Sequence, residues 1–312
     1  MRSGRLHRAP LHRAAFGATA LLVAAGLSAC HADSGSTDAK SNLPTVVAST
    51  DAWGSVAQSI AGDLATVTSI VGGASADPHS FRASPSDTAE ISDAALVIYN
   101  GGGYDSWIED VLESHPNVNA VDAYSLLDKA SPGEPQPPNE HVFYDLGVAK
   151  AVATTIADRL ATIDPAHAGD FKSRAADFNR RADAVEHTEY AIRSTHPGAA
   201  VVATEPVAHY LLESAGLTDK TPADFSDAVE QDTDPAPVDI AAMIDMINGH
   251  QVAALIFNEQ TTTAATRQVR DAAQSAGVPI VTVTETLPAG SDYLKWQADT
   301  AARLSAALQQ DR

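Results

Sequence analysis

Short apolar runs alternate with longer stretches of helical spacing through most of this chain. Thr45–Thr50 and Thr66–Val71 read as strands. Between them Trp53, Val56, Ala57, Ile60 and Leu64 recur at the spacing of one helix face. A helix from Pro85, a strand over Leu96–Asn100, a helix around Ser106–Ser114 and a strand over Asn119–Ala123 continue the series. Strands alternating with helices predict a parallel sheet covered by helices. Ser131–Asn139, with four prolines or glycines before Pro138, breaks the pattern as an exposed loop. Val148, Val152, Ile156 and Leu160 then mark another helix face.

Asp164-Pro165 is a helix start. Phe171, Ala175, Phe178, Ala182, Val185 and Ile192 follow at helical spacing as far as Thr195, which predicts a helix of roughly 45 Å. Beyond it the alternation resumes. Strands are expected at Ala199–Thr204, Ala253–Asn258 and Pro279–Thr284, and helices at Val207–Ala215, Val238–Asn248, Thr262–Ala276 and the C-terminus. Thr218–Pro237, polar and acidic, reads as a long loop. Gly216, Gly249 and Gly277 stand where left-handed helix caps are wanted. The expected fold is α/β: two lobes with mainly parallel sheets flanked by helices, at 44–163 and 197–312, joined by a spine helix at 164–196.

The first 43 residues belong to neither lobe. Arg2, Arg5, Arg8 and Arg13 precede an apolar, small-residue stretch, Ala14–Ala29, in the manner of an export signal. The stretch is shorter than the roughly 20 residues a spanning helix needs. The only cysteine, Cys30, ends the segment Leu27-Ser28-Ala29-Cys30, which resembles a bacterial lipoprotein box. That resemblance implies cleavage before Cys30, a lipid on its thiol, and a flexible tether over 30–43. Losing residues 1–29 removes four arginines and no acids, so the formal charge of −20 becomes more negative by four. The basic footprint of a nucleic-acid binder is absent. An acidic field of this kind favours cations over anions.

The candidate chemistry collects at strand ends, where open α/β sheets present ligand groups. His79 lies in Asp77-Pro78-His79-Ser80-Phe81, between a strand and a helix that Ser84 caps with Pro85 at its first position. His141 follows the proline-rich loop. Glu205 and Glu285 each follow a strand of the second half. Two neutral imidazoles and two carboxylates carry a charge of −2, which compensates a divalent cation held between lobes. Mixed nitrogen and oxygen donors suit first-row divalent ions, and carboxylates tilt the choice toward harder ones such as Mn²⁺. Three further residues compete: His209, which shares a helix face with Glu205; Glu140, beside His141; and Glu259, at a strand end, as an acceptor that would orient a ligating histidine.

The chain resembles the zinc/manganese solute-binding lipoprotein family of bacterial ABC metal importers. The Asp77-Pro78-His79 loop leading into Ser84-Pro85-Ser86-Asp87 matches that family's most specific motif. Glu205 falls in the segment before Tyr210-Leu211-Leu212 and Gly216-Leu217, and Glu285 falls where members carry Asp or Glu. The segment after His141, Val142-Phe143-Tyr144-Asp145, lacks the usual Trp and Pro. The resemblance implies one Mn²⁺ or Zn²⁺ as transported ligand, bound by His79, His141, Glu205 and Glu285. It also implies a permease and ATPase as membrane partners, a lipid-anchored monomer outside the cytoplasmic membrane, and no enzymatic activity. Glu205 in place of His is similar to the manganese branch. Two other readings stand beside it. A secreted metallohydrolase would need an open coordination position and a general base, and the chain has no His-Glu-x-x-His. A binder of metal chelates or an adhesion lipoprotein is the third.

Overall fold

The computed structural model describes residues 43–73, 78–127 and 138–310. The segments expected as export signal and tether, with Cys30, Asp77 and most of the proline-rich loop, lie outside them.

Strands β1 (Thr45–Thr50), β2 (Thr66–Val71), β3 (Leu96–Tyr99) and β4 (Ala120–Asp122) make a wholly parallel sheet of order β2-β1-β3-β4. Helices α1 (Asp51–Ala61), α2 (Pro85–Ser92) and α3 (Ser106–Ser114) connect them. Central strand β1 is apolar at consecutive positions because both its faces are covered. Val46 and Ala48 point into the large core with Trp53, Val56 and Ile60 of α1. Val47 points the other way, onto Ile91, Val97, Trp107 and Ile108.

Helix α4 (Leu146–Ile163) follows. The long helix begins as a tight 3₁₀ turn at Pro165–His167 and runs as α5 through Ala168–Thr195. Its buried stripe contains the six apolar positions expected and one more residue, Glu189.

Beyond α5 the second sheet has the order β6-β5-β7-β8, also parallel. It is built from β5 (Ala200–Ala203), β6 (Thr218–Asp219), β7 (Ala254–Asn258) and β8 (Ile280–Val283). Its helices are α6 (His209–Ser214), α7 (Ala223–Glu230), α8 (Pro237–Asn248), α9 (Ala264–Ala276) and α10 (Tyr293–Gln310). Two expectations fail here. Thr218–Pro237 is not a loop: it holds β6 and α7, because Phe225 and Val229, four apart, bury one face against Val202, Met243 and Ile247. Gly249 does not cap α8 in a left-handed conformation: its φ is −80°, and His250 takes the positive φ of 47° instead. Gly277 does cap α9, at φ 73°.

The two sheets share one apolar core. The largest cluster runs from Val46 and Trp53 through Phe143 and α5 to Val201, Val281 and Trp296. Trp296 packs on Tyr144 and Phe143 at ring separations of 5.0 and 6.1 Å, and Tyr293 stacks near Trp53. Such aromatic pairs add about 0.5–1.5 kcal/mol each beyond area burial. Hydrogen bonds reinforce the join. Leu287 N–H donates to Asp51 Oδ1 at 3.0 Å, Thr286 Oγ1 to Gly73 O at 3.1 Å, and Tyr144 O–H to Thr284 O at 2.9 Å. No helix among the described residues is long and apolar enough to cross a membrane.

Candidate metal centre

His79 sits between β2 and α2, and the start of α2 is firmly set. Ser84 N–H donates to Asp87 Oδ2 at 2.7 Å and Asp87 N–H returns a bond to Ser84 Oγ at 3.3 Å, a complete capping box. Pro78 is buried beside His79, whose side chain keeps 27 % of its surface exposed. The edge of the His79 ring meets Tyr104 at 4.6 Å.

His141 precedes a 3₁₀ turn, Val142–Tyr144, and is fully buried. Its Nδ1 lies 3.1 Å from Asn139 Oδ1. An amide oxygen only accepts, so Nδ1 carries the ring proton and Nε2 presents its lone pair. The loop is tied down from both sides. Asn100 Nδ2 donates to Glu140 O at 2.8 Å and Tyr210 O–H to Asn139 O at 2.5 Å.

The second lobe supplies the carboxylates. Glu205 follows β5 and Glu285 follows β8, each after one intervening threonine, Thr204 and Thr284. Asn258, the last residue of β7, donates through Nδ2 to Glu205 Oε2 at 2.5 Å and to Glu285 Oε1 at 2.9 Å. Gln260 Oε1 accepts the backbone N–H of Glu285 at 2.5 Å. The Tyr144–Thr284 bond joins the residue three after His141 to the residue before Glu285, so donors from the two lobes are held in mutual register.

These segments converge. His79 Nε2 is 3.4 Å from Glu285 Oε2, and His141 Nε2 is 4.0 Å from the same oxygen. Ligand atoms of His79, His141 and Glu285 all lie within 4.8 Å of one another. His141 Nε2 is buried and has no hydrogen-bond partner, and Glu285 Oε2 is buried with only the long approach of His79 Nε2 beside it. Glu205 lines the same small cavity with His79, Glu230, Thr261 and Glu285; the cavity offers about 10 Å³, the room of a single water-sized sphere. A second triad, His79, Glu140 and Glu230, lies beside the first, with His79 Nδ1 at 3.5 Å from Glu140 Oε1.

The charges are distributed unevenly. Burial opposes a charge on His79, but its hydrogen bond to Glu285 and the charges of Glu285, Glu230 and Glu140 carry its pKa up to about 9. Burial also pushes Glu285 upward, yet His79 and His141 hold it below its ordinary value. Burial lowers His141 to about 3, so it is neutral. Burial lifts Glu205 to about 7 and Glu230 to about 8. Without metal, His79 therefore holds a proton near neutral pH and Glu285 is ionised.

Of the competing residues, Glu140 stands beside His79. His209 turns along its own helix toward Glu213, 4.0 Å away, and packs on Tyr210. Glu259 is exposed. Asn258, the last residue of β7, turns into the site, Glu259 just past the strand is exposed, and the acceptor that orients His141 is Asn139 rather than Glu259. Glu230 was not anticipated, because its segment reads as a loop. The Phe225/Val229 spacing after Pro222 is the signal that marks the helix carrying it.

Two parallel-sheet lobes fused along a long helix, with imidazoles from one and carboxylates from the other meeting in a small cleft, define a two-lobed binding protein with an ion-sized site. The family model for zinc-uptake complex component A, periplasmic (ZnuA), matches residues 46–307, and the chain belongs to this family. The manganese-binding lipoprotein MntA of Halalkalibacterium halodurans is 30% identical over 144 residues, 46% of this chain and 47% of that protein. The metal ABC transporter substrate-binding lipoprotein ScbA of Streptococcus cristatus is 27% identical over 179 residues, 53% and 56%. The matched stretch spans about half the length of these curated relatives. Among solved structures, the periplasmic zinc-binding protein TroA of Treponema pallidum superposes with a TM-score of 0.73 at 18% identity, over 85% of this chain and 99% of that one. The laminin-binding protein Lmb of Streptococcus agalactiae gives 0.70 at 23%, over 86% and 100%. At these identities the likeness is one of fold.

Proposed function

We propose that this protein captures a divalent transition metal, Mn²⁺ or Zn²⁺, outside the cell and delivers it to the permease and ATPase of an ABC importer. His79, His141, Glu205 and Glu285 are the ligands in this reading, and Cys30 carries the lipid that holds the monomer at the membrane. One observation carries it: the buried, partnerless Nε2 of His141 faces the buried Oε2 of Glu285 beside His79 Nε2. Buried polar atoms are ordinarily satisfied, and a cation satisfies these together. The names of the curated relatives support the same assignment. A cavity of about 10 Å³ favours a bare ion over a chelate or an organic ester.

The lobes contribute position and charge. Cross-lobe hydrogen bonds and a shared core favour small closing motions over a wide hinge. The test is direct. Chelator-stripped protein is titrated with Mn²⁺ and with Zn²⁺, and bound metal is counted by mass spectrometry. One equivalent, lost in folded His79→Ala and Glu285→Ala proteins, is expected. No stoichiometric binding of either ion would refute the reading.

A further inference from the structure

We infer that Glu230 is a fifth metal donor, delivered by α7, and that it favours ions taking more than four ligands over tetrahedral ones. The inference rests on the metal-capture reading above and names the selectivity of that same site.

The separations point to shared coordination. His141 Nε2 lies 3.4 Å from Glu230 Oε1. That exceeds the usual N–H···O range of about 2.7–3.2 Å. Donors about 2.1 Å from one ion, in contrast, stand about 3.0 Å apart at 90° and about 3.6 Å apart at 120°, the angles of a five-coordinate shell, and 3.4 Å falls between them. His79 Nε2 and Glu285 Oε2 show the same 3.4 Å spacing. Asn139 holds the His141 proton on Nδ1, so Nε2 turns its bare lone pair toward Glu230 Oε1 and finds no hydrogen-bond partner. A cation between them satisfies the buried Nε2 and takes the carboxylate as a second donor.

The helix is built to hold Glu230 there. Phe225 and Val229 are buried, at 0 % and 1 % exposure, and anchor α7. Its end is locked where Thr233 N–H and Oγ1 both bond to Ala228 O, at 2.8 and 3.0 Å, and Asp232 takes the left-handed φ of 53°. A helix C-terminus carries partial negative charge, so a carboxylate there, facing Glu140, Glu205 and Glu285, is poorly placed in the protein alone. Among the described residues no lysine or arginine pairs with any of these four carboxylates. A divalent cation compensates them. Mn²⁺ accepts additional oxygen donors, whereas four ligands complete tetrahedral Zn²⁺.

The experiment compares chelator-stripped wild type with Glu230→Gln, and with Glu259→Gln as an exposed control. Dissociation constants for Mn²⁺ and Zn²⁺ alone are read by competition with a chelating dye, and X-ray absorption counts the donors on bound Mn²⁺. Glu230→Gln is expected to weaken Mn²⁺ by roughly tenfold or more, to weaken Zn²⁺ by less than about threefold, and to remove one oxygen from the Mn²⁺ shell. Glu259→Gln should leave both affinities unchanged. Glu230→Asp, which keeps the charge but retracts it by one methylene, carries the test if the glutamine variant does not fold; it should also lose Mn²⁺ selectively. Equal losses for the two metals, or none for either, would overturn the inference while wild-type binding still upheld metal capture. A wild type that binds neither metal would overturn the functional reading itself.

Discussion

Metal affinity should depend steeply on pH, and the structure sets the size of the effect. The perturbation is a shift from pH 6 to pH 8. His79, raised to about 9 by its hydrogen bond to Glu285 and by the neighbouring carboxylates against the opposing effect of burial, holds its proton across most of this range and must release it to bind an ion. Glu205, lifted to about 7 by burial, loses its proton midway. His141 is already neutral and Glu285 already ionised, so neither contributes. From His79 and Glu205 alone, metal binding then releases roughly 1.5 protons at pH 7, and affinity rises about a thousandfold from pH 6 to 8, on the order of 4 kcal/mol; Glu230 as a donor, lifted to about 8, adds close to one more proton and steepens the rise. The metal-free protein should move the opposite way. A raised histidine stabilises the fold fully below its ordinary value of 6.5, and that contribution is lost as pH rises through about 9. The assay is isothermal titration of Mn²⁺ in buffers of different ionisation enthalpy, which counts released protons directly. Stoichiometric binding whose affinity changed less than about threefold across the range would refute the reasoning.

Three further outcomes are expected. Glu189 is buried in the apolar stripe of α5, with Ser214 Oγ on Oε2 and nothing on Oε1; burial raises it to about 7. The folded chain holds this proton while the unfolded chain loses it, so stability falls from about pH 4.5 to 7, by up to about 3 kcal/mol. Glu189→Gln should therefore melt higher than wild type at pH 8 and close to it at pH 4.5; a constant difference across pH would exclude the idea. Asn139→Ala frees the His141 tautomer and should weaken metal binding by roughly 10–100-fold with little change in circular dichroism; unchanged affinity would remove Asn139 from the site. Small-angle scattering with and without metal should show little change in radius of gyration, given the Tyr144–Thr284, Asp51–Leu287 and Gly73–Thr286 bonds; a large contraction would count against the fused lobes.

Much of the architecture was legible before any coordinates. Strand and helix periodicities act over a few residues, so Val46–Ala48, the Ser84 cap and the stripe along α5 announce themselves locally. The Asp-Pro-His loop is local too, and so are the strand ends that bear Glu205 and Glu285. Tertiary structure alone decided which of these groups meet. Glu205, Asn258 and Glu285 are far apart in sequence, yet they touch because β5, β7 and β8 lie side by side in parallel and end at one edge. Asn258 closes β7 inside the site and Glu259, one residue past the strand end, is exposed, a boundary fixed by where the parallel pairing with β8 stops. The short buried face of Phe225 and Val229 is too brief to stand out from its polar neighbours, but it found a core to pack against, and so brought Glu230 to His141. Composition and periodicity determined the elements. The donor set depended on packing between residues distant in the chain, which sequence spacing does not encode.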